Sequence, residues 1–183
     1  MTRKRDFNDD PETRRPMETR TTTPITTVMV LLEEKLRQQV RQDKPLLVAI
    51  DGRCASGKST LAKDLQKQLD CNVIHMDDFY LQPHQRTTKR LREPGGNVDY
   101  ERFETEVLQP LLTGEAFSYR PYDAHAVCFL PEVIVSPKKV TIIEGSYACH
   151  PRLRRSYDLR IFLTVDRQEQ LERCLLYTSP SPR

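Results

Sequence analysis

Apolar positions fall along this chain in short blocks of two kinds. From Met29 to Arg41, Met29, Leu32, Leu36 and Val40 recur at helical spacing, which predicts an amphipathic helix closed by Pro45. Pro45–Asp51 (PLLVAID) is then continuously apolar, the pattern of a strand buried on both faces of a parallel sheet. After a glycine-bearing turn, Leu61, Leu65 and Leu69 align on one face of a second helix, Lys58–Leu69. Asn72–Met76 reads as a second strand, Leu81–Asn97 as a basic, mobile surface loop, and Tyr100–Leu112 as a helix with Phe103, Val107 and Leu111 aligned. Ala116–Ser136, broken by prolines, fits small edge strands or a hairpin. Lys139–Ile143 and Leu159–Val165 are further apolar strands, and a last helix starts after Asp166 with Leu171 facing the core. Strands alternating with helices predict βαβ units and an α/β fold with a mostly parallel sheet flanked by helices. Ligands of such sheets bind beyond the carboxyl ends of the strands.

Residues 1–28 show no such period. Thr2–Arg20 mixes charge, proline and polar residues and Thr21–Thr27 is threonine-rich, so this stretch reads as a disordered segment ahead of one domain over residues 29–173. The length of 183 residues suits a single core. A net charge of +3, with acids and bases interleaved, argues for neither nucleic acid nor an anionic membrane as partner. The five cysteines have no Cys-x-x-Cys spacing and the four histidines no metal-ligand spacing. Reduced thiols in a cytoplasmic protein without a zinc site are therefore expected. No apolar run approaches the roughly 18 residues of a membrane span, and no signal-peptide core opens the chain.

Chemistry concentrates in one motif. Gly52-Arg53-Cys54-Ala55-Ser56-Gly57-Lys58-Ser59 satisfies G-x-x-x-x-G-K-[ST], with an apolar strand before it and an amphipathic helix after it. The glycines let the backbone curl with its N–H groups inward, and the helix adds the positive end of its dipole. Gly52, Ala55, Ser56, Gly57, Lys58, Ser59 and Thr60 are thus the candidate nucleotide-binding residues. Lys58 would reach the β- and γ-phosphates, and Ser59 would bind Mg²⁺. Glu144, directly after a core strand, is the candidate partner acid for Mg²⁺. Asp77-Asp78 follow another strand, where one of them could accept a proton from an attacking hydroxyl. Their adjacency leaves the choice open. No Asn-Lys-x-Asp guanine signature is present, which disfavours a GTPase switch.

Ile50–Thr60, His75–Tyr80 (HMDDFY), Pro94–Phe103 (PGGNVDYERF), Tyr119–Asp123 (YRPYD) and Ile143–Ser146 (IEGS) together resemble the uridine kinase family and its phosphoribulokinase-like relatives, over roughly residues 44–173. The resemblance implies a P-loop NTPase fold and γ-phosphoryl transfer from ATP, with Mg²⁺, to the 5′-hydroxyl of uridine or cytidine. It implies that Asp77 is the catalytic base and a Mg²⁺-associated acid, that Glu144 serves Mg²⁺, that Asp99 holds ribose hydroxyls, and that Tyr80 and Tyr122 lie near sugar and base. It leaves a homo-oligomer open. Family members place a histidine and a basic residue some five to seven positions after the tyrosine at 122; here Val127 and Phe129 stand there. That departure keeps a sugar phosphate or pantothenate-like alcohol in play as acceptor, and a non-catalytic ATP-binding protein as the rival from another class.

The last ten residues, Cys174–Arg183 (CLLYTSPSPR), resemble the in-frame translation of a transposase-type sequencing adapter and are expected not to continue the helix begun at Asp166. On that reading the family's arginine-bearing lid and its last strand and helix are missing.

Overall fold

A computed structural model describes residues 25–39 and 44–178. At its centre, four parallel strands run in the order β2-β7-β1-β8. They are β1 (Leu46–Gly52), β2 (Cys71–His75), β7 (Val140–Glu144) and β8 (Leu159–Leu163). The register pairs Ile50 with Glu144 and His75 with Glu144, so the chemistry-bearing ends of β1, β2 and β7 lie level with one another.

Every residue of β1 is buried, because both faces of the sheet are covered. Leu46, Val48 and Ile50 face one core with Ile142, Ala62, Leu65, Val28 and Leu32, under α1 (Ile25–Gln39) and α2 (Lys58–Gln68). Leu47 and Ala49 face the other with Ile74, Ile143, Phe79, Phe103 and Val107. Period-2 alternation with apolar groups on both sides is why the run looked continuous in sequence.

The helix over Tyr100–Thr113 has three parts: α4 (Tyr100–Phe103), a π-helical stretch (Glu104–Leu108) and α5 (Gln109–Thr113). Pro110 has no N–H and would crowd the carbonyl four residues back, so an inserted residue in the preceding turn is a physical way to keep the helix going. Residues 117–135 form a nested antiparallel hairpin. β3 (Phe117–Tyr119) pairs with β6 (Val133–Val135), and inside them β4 (Tyr122–Asp123) pairs with β5 (Cys128–Phe129).

Four expectations change. The first helix begins at Ile25, so Ile25–Val28 are helical rather than disordered, and Val28 is fully buried under it. The rest of the expected disordered segment, and Val40 of the predicted helix, lie outside the described residues. Leu81–Asn97 is built of ordered turns, including a 3₁₀ turn (Pro83–Gln85) and α3 (Thr88–Leu91). It is anchored by the buried Leu81 and by Arg86 Nε donating to the Leu81 carbonyl at 3.0 Å. α6 (Arg167–Thr178) turns Leu171 outward, 57% exposed, because its inner side meets the P-loop through polar groups. α6 also runs on past Cys174 to Thr178, where the expected foreign tail was to have broken it. The remainder of the expected foreign tail lies outside the described residues.

Candidate active site

The phosphate loop follows from close packing at its first glycine. Gly52 has φ +151°, and a Cβ there would stand 2.4 Å from the Leu163 carbonyl oxygen and 2.7 Å from Ser56 Oγ. Only glycine lets the loop fold back against β8 in this way. Gly57 (φ +92°) and Ala55 (φ +59°) take the left-handed conformations that curl the loop into the start of α2. The first peptide N–H groups of α2 have no partner within the helix and point toward the loop's concavity. Lys58 is buried, and its Nζ donates to the Arg53 carbonyl at 2.9 Å. Ser56 Oγ is buried without a hydrogen-bond partner, on the side that faces Gly52. Thr60 is exposed in the first turn of α2.

Glu144 is 5% exposed at the end of β7. Ser59 Oγ donates to both of its oxygens, at 3.1 and 3.2 Å, and His75 Nδ1 lies 2.5 Å from Oε1. Burial works against charge on Glu144, but the His75 and Ser59 bonds and the charge of Lys58 outweigh it and hold the carboxyl below its ordinary value. His75 is shifted the opposite way. Its bond to Glu144 lifts it above the ordinary imidazole range against the effect of burial, helped by the charges of Asp78 and Asp77. The sequence reading assigned His75 no role of its own; its signal was its place at the end of the strand neighbouring the one that carries Glu144.

Asp77 and Asp78 part company at the turn Met76–Phe79. Asp77 is exposed, and Tyr80 Oη donates to its Oδ1 at 2.9 Å. Burial and that neighbouring charge push the Tyr80 phenol up to about 12. Asp78 instead turns toward the hairpin, where Tyr119 Oη donates to its Oδ2 at 2.9 Å. Burial raises the Asp78 carboxyl, with the Tyr119 bond opposing.

Asp99, 2% exposed, caps α4 by accepting from Arg102 N at 3.0 Å and accepts from Gln85 Nε2 at 2.8 Å. Each carboxylate oxygen keeps a further lone pair. Backbone bonds from Asp99 N to the Phe79 carbonyl and the bridge between Tyr80 and Val98 hold it beside the Asp77 turn. Tyr122 is 4% exposed, its hydroxyl has no partner, and its ring meets Phe129 edge-on at 5.2 Å. β4 packs on the Met76–Phe79 turn, which brings Tyr122 to the same side of the sheet as the acids. Val127 is an exposed turn residue at φ +55°.

Arg102 ties these parts together, a role that no local pattern in the sequence marks. It donates to the Arg120 carbonyl at 2.7 Å and the Asp78 carbonyl at 2.5 Å, with its guanidinium 4.5 Å from the centre of the Phe79 ring. A cleft of about 350 Å³ lined by Glu106, Ser118, Tyr119, Arg120, Phe129 and Glu132 lies on the hairpin side of this strut. None of the phosphate-loop residues line it, and the reactive groups stand outside it.

The arrangement fits a nucleoside triphosphate with Mg²⁺. The loop offers inward N–H groups and Lys58 to phosphate. Ser59 and Glu144 offer hard oxygens, and no group of three or more His, Cys, Asp or Glu among the described residues could hold a metal alone. That suits an ion that takes one or two protein ligands and completes its shell with phosphate and water.

The fold is that of the P-loop kinases. A candidate fructose transport system kinase from Silicibacter sp. TM1040 superposes with TM-score 0.69 and 25% identity over 85% of this chain and 81% of its own. A possible uridine kinase from Bacillus stearothermophilus does so with TM-score 0.60 and 20% identity over 81% and 93%, a likeness of fold. Uridine kinases are homologues of the chain in sequence. That of Clostridium perfringens (strain 13 / Type A) is 30% identical over 134 residues, 67% of this chain and 63% of that protein. Uridine kinase-like protein 3 of Arabidopsis thaliana is 28% identical over 151 residues, 76% of this chain and 32% of the relative. The chain therefore spans less than two thirds of the length of either relative. It matches no protein-family model.

Cys54, Cys71, Cys128 and Cys149 form no disulfide, and no helix among the described residues is long and apolar enough to cross a membrane.

Proposed function

We propose that this protein is a phosphotransferase that moves the γ-phosphoryl group of ATP to a hydroxyl of a small acceptor, with the 5′-hydroxyl of uridine or cytidine first in line. The observation that carries this reading is one shared edge of the sheet. There β1 delivers the phosphate loop, β7 delivers Glu144 bonded to Ser59, and β2 delivers the Asp77 turn. The homologous uridine kinases support it.

In this reading the loop N–H groups and Lys58 bind the β- and γ-phosphates and offset charge that builds on them. Ser59 and Glu144, with Asp77, would hold Mg²⁺, which when bound neutralises charge across the β- and γ-oxygens. Asp77, exposed in the turn after β2, takes the proton of the acceptor hydroxyl as its oxygen attacks the γ-phosphorus. The bond from that phosphorus to the β–γ bridging oxygen breaks, and ADP carries the electron pair away. Asp99 and Tyr80 orient the acceptor's hydroxyls, and Tyr122 contacts its far end.

A second acceptor class is favoured by a specific observation. At the positions after Tyr122 where the uridine kinase family carries a histidine and a basic residue, this chain has Val127, which is exposed, and Phe129, whose ring packs edge-on against Tyr122, so neither side chain can hydrogen-bond a base. That departure favours a sugar, sugar phosphate or pantothenate-like alcohol as the alternative acceptor, and a structural neighbour is described as a fructose transport system kinase. Transfer from radiolabelled ATP to a panel of ribosides, sugars, sugar phosphates and pantothenate separates the readings. Labelled uridine or cytidine 5′-monophosphate is expected. Label on sugars or pantothenate alone supports the second class, and ATP binding with transfer to nothing removes the catalytic reading.

A further inference from the structure

Asp51, the residue before the phosphate loop, takes no part in the chemistry above, yet its carboxylate accepts three backbone N–H bonds. It is 7% exposed, and Oδ1 accepts from Gly52 N at 2.6 Å and Tyr147 N at 3.1 Å, while Oδ2 accepts from Cys149 N at 2.8 Å. A buried carboxylate survives only if such donors replace its water, and charged acceptors make the stronger bonds.

Its donors belong to two different segments. Gly52 opens the phosphate loop, whereas Tyr147 and Cys149 sit in the turn that leaves Glu144. That turn is conformationally demanding. Tyr147 is held at φ +66° and Gly145 at φ +143°, and a Cβ on Gly145 would meet Met76 Cβ at 2.7 Å. Two more bonds run the same way, from Gly145 N to the Ile50 carbonyl at 3.1 Å and from Ser146 Oγ to the Gly52 carbonyl at 3.4 Å.

We propose that Asp51 is a positioning residue that clamps the start of the phosphate loop to the turn behind Glu144, and so fixes the Glu144 carboxylate against Ser59. It acts through Gly52 and Glu144 and touches neither nucleotide nor metal ion. The proposal rests on the phosphotransferase reading, and its test needs no acceptor.

The experiment titrates a fluorescent ATP analogue into the protein at a series of Mg²⁺ concentrations. Asp51→Asn keeps the shape but turns one acceptor into a donor; Asp51→Ser can still accept from Gly52 N but no longer reaches the turn. Both are expected to need about tenfold more Mg²⁺ for half-maximal binding, the scale of losing an outer-shell support. Asp158→Ala is the control. Asp158 accepts from Leu47 N at 2.9 Å at the opposite end of β1, so its loss should lower the melting temperature without moving the Mg²⁺ requirement. Asp51 variants that melt earlier but bind with the wild-type Mg²⁺ requirement would reduce Asp51 to a turn cap and overturn the proposal. Wild-type protein that binds no nucleotide at any Mg²⁺ concentration would overturn the functional reading and this one with it.

Discussion

Glu144 and His75 form the most polarised contact of the site, and their opposite shifts set a pH window for the folded state. Glu144 has its folded value below the ordinary 4.5, so its contribution is complete above 4.5 and is lost as pH falls through the lowered value. His75 has its folded value above the ordinary 6.5, so its contribution is complete below 6.5 and is lost as pH rises through the raised value. The pair therefore stabilises most between those two ordinary values. The gap in melting temperature between wild type and His75→Gln should be widest there and shrink on both sides; a gap constant from pH 4 to 9 would contradict the pairing. Asp77 answers to a different test. Asp77→Asn should cut turnover by two orders of magnitude or more, in line with loss of a general base. ATP affinity should change little, because the phosphates are held by the loop; unchanged turnover would remove the base role. At this scale the sequence exposed the loop residues and Glu144 through spacing alone. The split between Asp77 and Asp78 was not legible without resemblance, since it depends on Tyr80 and Tyr119, which lie on different elements.

Among the elements, the turn after β7 does more than reverse the chain. Gly145 passes so close to Met76 that β7 and the Asp77 turn touch backbone to side chain, with no room for a methyl group. Gly145→Ala combines this overlap with a φ that a side chain rarely adopts. It should cost about 2 kcal/mol of stability in urea denaturation and lower turnover as well, since the Asp77 turn must shift. A variant as stable and as active as wild type would show that the contact can relax freely. The helix Tyr100–Thr113 was legible as one apolar stripe, but its π-helical middle was not. Periodicity reports which residues face inward, whereas Pro110 decides how the backbone gets there. The loop 81–97 was misread for the related reason that polarity marks exposure, not mobility. Gln85 bonded to Asp99, and Arg90 bonded to Glu101 and the Val98 carbonyl, order it by tying it to the segment just past its end.

Across the whole molecule, the central sheet separates two cores, and α1 is part of one of them. Leu32 is 1% exposed beneath the β1 side of the sheet, so Leu32→Ala should cost about 3 kcal/mol by urea denaturation and leave ATP binding intact. A loss within a few tenths of a kcal/mol would mean that α1 does not pack there. By itself the sequence determined the α/β class, the order of the main strands and the phosphate loop, because each is written in residues adjacent along the chain. Apolar runs must be buried, and a glycine-rich turn between strand and helix has few other uses. Only the tertiary structure decided what faces the loop. Strand order placed β7 between β1 and β2, and parallel register set Glu144 level with Ile50 and His75. Hydrogen bonds between segments 18 to 98 residues apart then chose Asp51, His75 and Arg102 as supports. No local pattern encodes such partners, since they are selected by which surfaces the packed sheet brings together.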